Sequence, residues 1–139
     1  MSGRILAVDP GEKRIGLAIS DEMACIANPL GVVTHTARDT DAQVVARIAA
    51  ENQAVRIIVG QALDASGEVG PAARKAQRFA DALRLHTDLP VELWDESGST
   101  KAAQSARREM GVSRKKRSGH LDDLAAAIIL QTYLDAKHD

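Results

Sequence analysis

The chain has 139 residues, a formal net charge of −1, 45% apolar residues and 2% aromatics. That length fits one domain, residues 1–139, with a single core. So few rings exclude base stacking as the main route to nucleic acid, and a near-neutral balance means that any polyanion must be held by locally clustered cations. A single cysteine, Cys25, excludes an internal disulfide and a multi-cysteine zinc site. The apolar run after Arg4 ends at Asp9, too short for a signal peptide, and Leu124 to Leu130 is too short to span a bilayer. The expectation is a soluble cytoplasmic protein with no membrane partner.

Ile5-Leu6-Ala7-Val8 lacks polar alternation and reads as a central strand buried on both faces. Asp9-Pro10-Gly11 follows, with Pro and Gly suited to a tight turn, and Ile15 to Ile19 returns as a hairpin partner. Asp21 to Leu30 reads as a connection, and Gly31 to His35 as an edge strand. Thr40-Asp41 offers a cap for a packing helix through about Asn52. Val55 to Gly60 is a second buried strand, followed by a loop from Gln61 to Gly70. Pro71 suits the first turn of a helix whose apolar stripe is Ala72, Ala76, Phe79, Ala80 and Leu83, with Arg74, Lys75 and Arg78 off that stripe.

Leu89 to Trp94 is the fifth strand, ending at Asp95-Glu96. Ser99-Thr100 would cap a helix to about Met110, closed by Gly111. Gly111 to His120 reads as a positively charged loop, and the last helix as running from about Leu121 to Ala136. The order of elements predicts an α/β domain with a mixed five-stranded sheet flanked by helices, an antiparallel hairpin extended by parallel strands. Ligands of such sheets gather at the carboxyl ends of the strands, where Asp9 and Glu96 both fall.

Three acids therefore stand out: Asp9 after the first strand, Glu96 after the last, and Asp122 opening the final helix. Carboxylates brought together repel without a counter-charge, and a hard divalent cation, Mg²⁺ or Mn²⁺, relieves that repulsion. Two such ions about 4 Å apart activate water and stabilise the leaving oxygen of a phosphodiester. The alternative keeps them separate, as a turn acid, a strand-end acid and a helix N-terminal acid favoured by the macrodipole. Asp95 and Asp123 are the neighbours to be distinguished from them, Asp123 lying about 100° round the helix from Asp122. Arg107, Arg108, Arg114, Lys115, Lys116 and Arg117 form the clearest cationic cluster, readable as solvated surface or as a contact to phosphate backbone. The four histidines show no metal-ligand spacing.

Six segments carry a resemblance over nearly the whole chain: Val8-Asp9-Pro10-Gly11-Glu12-Lys13-Arg14-Ile15-Gly16, Val59-Gly60, Gly67 to Pro71, Trp94 to Thr100, Val112 to Arg117 and Asp122 to Gln131. Together they resemble the YqgF (RuvX) family. The resemblance implies a ribonuclease H-like fold related to RuvC Holliday junction resolvases. It also implies a nuclease role in maturing the 5′ end of pre-16S ribosomal RNA, hence ribosome biogenesis. Asp9, Glu96 and Asp122 match the family's acidic positions and are the expected catalytic and metal ligands. Lys13, Arg14 and the cationic cluster are the expected contacts to nucleic acid. Two positions depart from the family's pattern: Ser97-Gly98 replace an arginine and a bulky residue, and Gly60-Gln61-Ala62 replaces Gly-Leu-Pro. The competing functions are a resolvase for branched DNA, a non-catalytic ribosome-assembly or nucleic-acid-binding factor, and an actin-like phosphotransferase, whose second domain does not fit this length.

Overall fold

The computed structural model describes residues 2–63, 66–95 and 114–137, with the helical backbone alone for 114–121. Five strands form one sheet: β1 (Arg4–Pro10), β2 (Arg14–Ser20), β3 (Ala27–Thr34), β4 (Ala54–Gln61) and β5 (Val91–Asp95), in the order β3-β2-β1-β4-β5. β1 pairs antiparallel with β2 and parallel with β4, so the mixed sheet expected from the sequence is observed, with the apolar run of β1 at its centre. β3 takes one edge, antiparallel to β2, and β5 the other, parallel to β4.

Alternation along β1 divides the core into two layers. Leu6 and Val8 face α1 (Arg38–Glu51) and α2 (Pro71–Arg84), packing with Val45, Phe79 and Leu83. Ile5 and Ala7 face the last helix, α3 (Arg114–Lys137), packing with Ala126, Leu130 and Leu134. Both layers are buried, which is why β1 and β4 read as continuous apolar runs instead of alternating ones.

Several boundaries move. The last helix begins by Arg114, not Leu121, so the Arg114 to Arg117 run and His120 lie on a helix and not in a loop. Arg and Lys are good helix formers, and their charge density does not prevent a helix. Asp122 consequently sits in the helix interior, and its reading as an N-terminal, dipole-favoured acid is withdrawn. β3 begins at Ala27 and takes Pro29 into an edge strand, where a missing N–H is tolerated. α1 starts at Arg38 from Ala37 without a side-chain cap; Asp41 is instead buried and bonded backwards to Thr36. In α2 it is Ala73 that is buried, whereas Ala72 is exposed. The expected helix from Ser99 to Met110 and its closing Gly111 lie outside the described residues. Among the described residues no helix is long and apolar enough to cross a membrane.

The α3 layer is closed by a polar cluster at its far end. Tyr133 is 1% exposed, and its hydroxyl donates to Glu92 Oε2 at 2.8 Å, which also accepts from Arg56 Nη1 at 3.3 Å. Trp94 meets the Tyr133 ring edge-on with centroids 5.1 Å apart, and its indole N–H donates to Thr132 Oγ1 at 3.0 Å. Burial, then the hydrogen bond and charge of Glu92, push the Tyr133 phenol up to about 12.

Two measurements check this packing. A Cβ at Gly16 would stand 2.0 Å from the backbone oxygen of Asp122, so Gly16→Ala should force α3 off β2. It should lower stability by about 1–3 kcal/mol or more; an unchanged urea midpoint would mean that the helix does not approach β2 there. Tyr133 is the only tyrosine, so phenolate absorbance reports this group alone. The folded protein should titrate near pH 12 and the urea-unfolded chain near the ordinary value of 10. Because the folded-state value is the higher one, Tyr133's contribution to stability is complete below the ordinary value and is lost as pH rises towards about 12. Tyr133→Phe should blunt that alkaline loss in denaturation measured across the interval.

Candidate active site

Asp9 is the penultimate residue of β1, and its Cα partner on β2 is Gly16. Partners directly opposite in an antiparallel pair share a face. The face is that of Ile5 and Ala7, so Asp9 points to the α3 side. The hairpin that follows is short: Gly11 to Lys13 connect the strands, and the Gly11 N–H donates to the Arg14 carbonyl at 3.0 Å. A Cβ at Gly11 would meet that carbonyl oxygen at 2.4 Å, so the turn closes this tightly only with glycine.

Gly16 brings Asp122 to the same place. The Asp122 backbone occupies the space that a side chain at residue 16 would take, with its oxygen 2.0 Å and its carbonyl carbon 2.6 Å from the Cβ position. α3 thus crosses β2 in direct backbone contact, alongside the residue paired with Asp9. The structure therefore gathers Asp9 and Asp122, which are far apart in sequence, at one end of one sheet face.

Arg14 pairs with one of these acids. It shares the α3 face with Gly16 by alternation, and its Nε donates to Asp122 Oδ2 at 2.7 Å. Both side chains are partly exposed, at 43% and 33%, so the ion pair adds little to stability. Its consequence is local: it supplies the counter-charge and fixes the direction of the Asp122 carboxylate.

The other expected site residues divide clearly. Asp95 is exposed and follows Trp94, which packs in the α3 layer, so alternation turns Asp95 to the opposite face from Asp9. Asp123 follows Asp122 in α3, rotated about 100° away. Lys13 is exposed at the hairpin tip. Arg114, Lys115, Lys116 and Arg117 occupy the start of α3, so Arg117 lies five residues, roughly 7.5 Å of helix rise, before Asp122. Glu96, Arg107 and Arg108 lie outside the described residues, Glu96 directly after the last residue of β5. Among the described residues no group of three or more His, Cys, Asp or Glu is gathered around a common point.

Two features escaped the sequence reading. Gly16 was only part of a motif, and nothing in its neighbours announces a helix backbone packed against it. Lys75 reads only as a cation off the apolar stripe of α2, yet its Nζ donates to the Gly11 carbonyl at 2.7 Å and ties α2 to the hairpin that carries Asp9. Its position off the apolar stripe held the only signal, and that signal is shared with Arg74 and Arg78.

Comparison with known proteins identifies the fold and the family. Among solved structures the fold is similar to the Thermus thermophilus RuvC in complex with a Holliday junction substrate, at TM-score 0.61 and 19% identity, covering 98% of this chain and 96% of that one. It is also similar to the fowlpox virus Holliday junction resolvase, at TM-score 0.54 and 16% identity, covering 96% and 99%. At these identities the likeness establishes a fold of the RuvC, ribonuclease H-like kind. Two relatives carry the name "Putative pre-16S rRNA nuclease". One, from Anaeromyxobacter sp. (strain Fw109-5), is 42% identical over 97% of this chain and 98% of its own length. The other, from Chloroflexus aggregans, is 45% identical over 97% and 95%. The model of the family described as "RuvX: Holliday junction resolvase" matches residues 3–136. With a family match along nearly its entire length and relatives above 40% identity end to end, this chain belongs to the RuvX family.

Proposed function

We propose that this protein is a metal-dependent endonuclease that hydrolyses phosphodiesters in structured RNA and acts in 5′-end maturation of pre-16S ribosomal RNA. The observation that carries the reading is the placement of Asp9 and Asp122 on one face, made possible by Gly16. The names of the RuvX relatives support the reaction and the substrate.

Asp9 and Asp122 suit Mg²⁺ or Mn²⁺ because both offer hard carboxylate oxygens, and Asp122 already pairs with a cation, Arg14. Glu96 is the proposed third ligand. The bound ions would polarise the phosphoryl oxygen and lower the pKa of an attacking water. The protein's own part is positional. The β1 strand end holds Asp9, α3 holds the Asp122 backbone against β2 beside Asp9's register partner, and Arg14 tethers the Asp122 carboxylate. Lys13, Arg14, Arg107, Arg108 and the Arg114 to Arg117 run would hold the phosphate backbone, positioning substrate without reading sequence. The family description also favours branched DNA as a second substrate.

Asp9→Asn should abolish Mg²⁺- or Mn²⁺-dependent cleavage of a precursor 16S RNA leader with cooperative unfolding preserved. Glu96→Gln and Asp122→Asn should weaken Mn²⁺ binding in calorimetric titration, and Asp95→Asn and Asp123→Asn should cost less. Controls that weaken binding equally would mean the wrong acids are named, and cleavage of a four-way junction alone would assign the site to DNA.

The basic start of α3 gives a separate outcome. Replacing Arg114, Lys115, Lys116 and Arg117 together by Ala keeps a strong helix former at each position. Binding to unrelated RNA sequences should weaken alike, and the log-log salt slope should fall by roughly 0.7–0.9 per lost phosphate contact. An unchanged slope would return the run to solvated surface.

A further inference from the structure

On the face of the sheet opposite Asp9, a cavity of about 400 Å³ opens between the hairpin after β1, the start of α1 and the second turn of α2. Ile15 and Phe79, nearly buried in the α1/α2 layer, close its floor, and Pro10 and Ala37 line it with accessible apolar surface. Its rim is cationic: Arg38 comes from α1, and Lys75 and Arg78 from α2.

The acid in this cavity is turned inward. Asp41 is 2% exposed, and its carboxylate accepts from the Thr36 N–H at 3.1 Å, from the Thr36 hydroxyl at 3.2 Å and from the His35 ring. Those bonds brace the turn into α1 and leave Asp41 little capacity to neutralise the rim. Among the described residues, no carboxylate forms an ion pair with Arg38, Lys75 or Arg78. Lys75 donates to the neutral carbonyl of Gly11. Three cations therefore converge on a concave site with a non-polar floor and one internally satisfied acid. That is a polar arrangement suited to an anion joined to an organic body. The amino end of α1, which carries no side-chain cap, adds positive potential at the same rim.

We propose that this cavity is a second binding site, taking a nucleotide through its phosphate. Arg38 and Arg78 grip the phosphate oxygens, Lys75 adds charge while holding the hairpin, and the ribose or base rests against the accessible apolar walls, Pro10 and Ala37. The site does not depend on the nuclease reading, because it lies across the sheet from Asp9 and Asp122. Its wall at Pro10 and Gly11 nevertheless continues directly from Asp9. The phosphate thus has two sources, a free mononucleotide or a nucleotide of a bound strand that passes over the hairpin.

Calorimetric titration without divalent metal tests both, using adenosine monophosphate and a short single-stranded oligoribonucleotide. The proteins are wild type, Arg38→Ala, Arg78→Ala and Arg74→Ala, an exposed cation on α2 that does not line the cavity. The His35 ring signals in NMR spectra report occupancy, and unfolding midpoints confirm that each variant is folded. If the source is free nucleotide, the monophosphate should bind with a Kd of about 0.1–1 mM. Arg38→Ala and Arg78→Ala should each then weaken it about tenfold, with Arg74→Ala unchanged. If the source is a strand, the monophosphate should leave the His35 signals unmoved at about 10 mM, and the same two variants should selectively weaken the oligonucleotide. The proposal is overturned if neither ligand's binding depends on Arg38 and Arg78, or if Arg74→Ala weakens it as much.

Discussion

The contact on which the candidate site depends is between the backbone of α3 and the bare Cα of Gly16. A helix packed on a sheet is normally held off by the side chains between them. Here residue 16 contributes none, and the Asp122 carbonyl descends into the vacated space. Because Gly16 is the register partner of Asp9, this close approach also sets the relation between two acids that come from opposite ends of the chain. The Leu130, Tyr133 and Leu134 side chains anchor the same helix further along, so the crossing is fixed at two places.

The charge at that crossing is balanced by Arg14. Arg14 reads as a contact for nucleic acid, yet its Nε is spent on Asp122. The pair is too exposed to matter much for stability, so its significance is orientational.

The two faces of the sheet are used differently. On the α3 face, at the carboxyl end of β1, lie Asp9 and, across Gly16, Asp122 of α3. On the α1/α2 face at the same end, cations surround a cavity and the acid is buried. The hairpin from Pro10 to Lys13 borders both, held from one side by Lys75 at the Gly11 carbonyl and from within by the Gly11 to Arg14 bond. A turn fastened at two points keeps Asp9 in place without a long, costly loop.

The sequence by itself determined the sheet. Unbroken apolar runs at Ile5 to Val8 and Ile57 to Val59 can only be strands covered on both sides, and Pro-Gly after Asp9 dictates the reversal to β2. Local chemistry also singled out Asp9 at a strand end, and Pro71 as a helix start. Where a local signal was ambiguous the reading failed. The Arg-Lys-Lys-Arg run is as compatible with helix as with loop, and the helix boundary was misplaced by several residues. What only the tertiary structure decided is which distant residues meet. That Gly16 receives a helix backbone, that Arg14 turns to Asp122 and that Lys75 reaches the Gly11 carbonyl all follow from how α2 and α3 cross the sheet. Such crossings are fixed by packing between segments far apart in the chain, and no local pattern of residues encodes them.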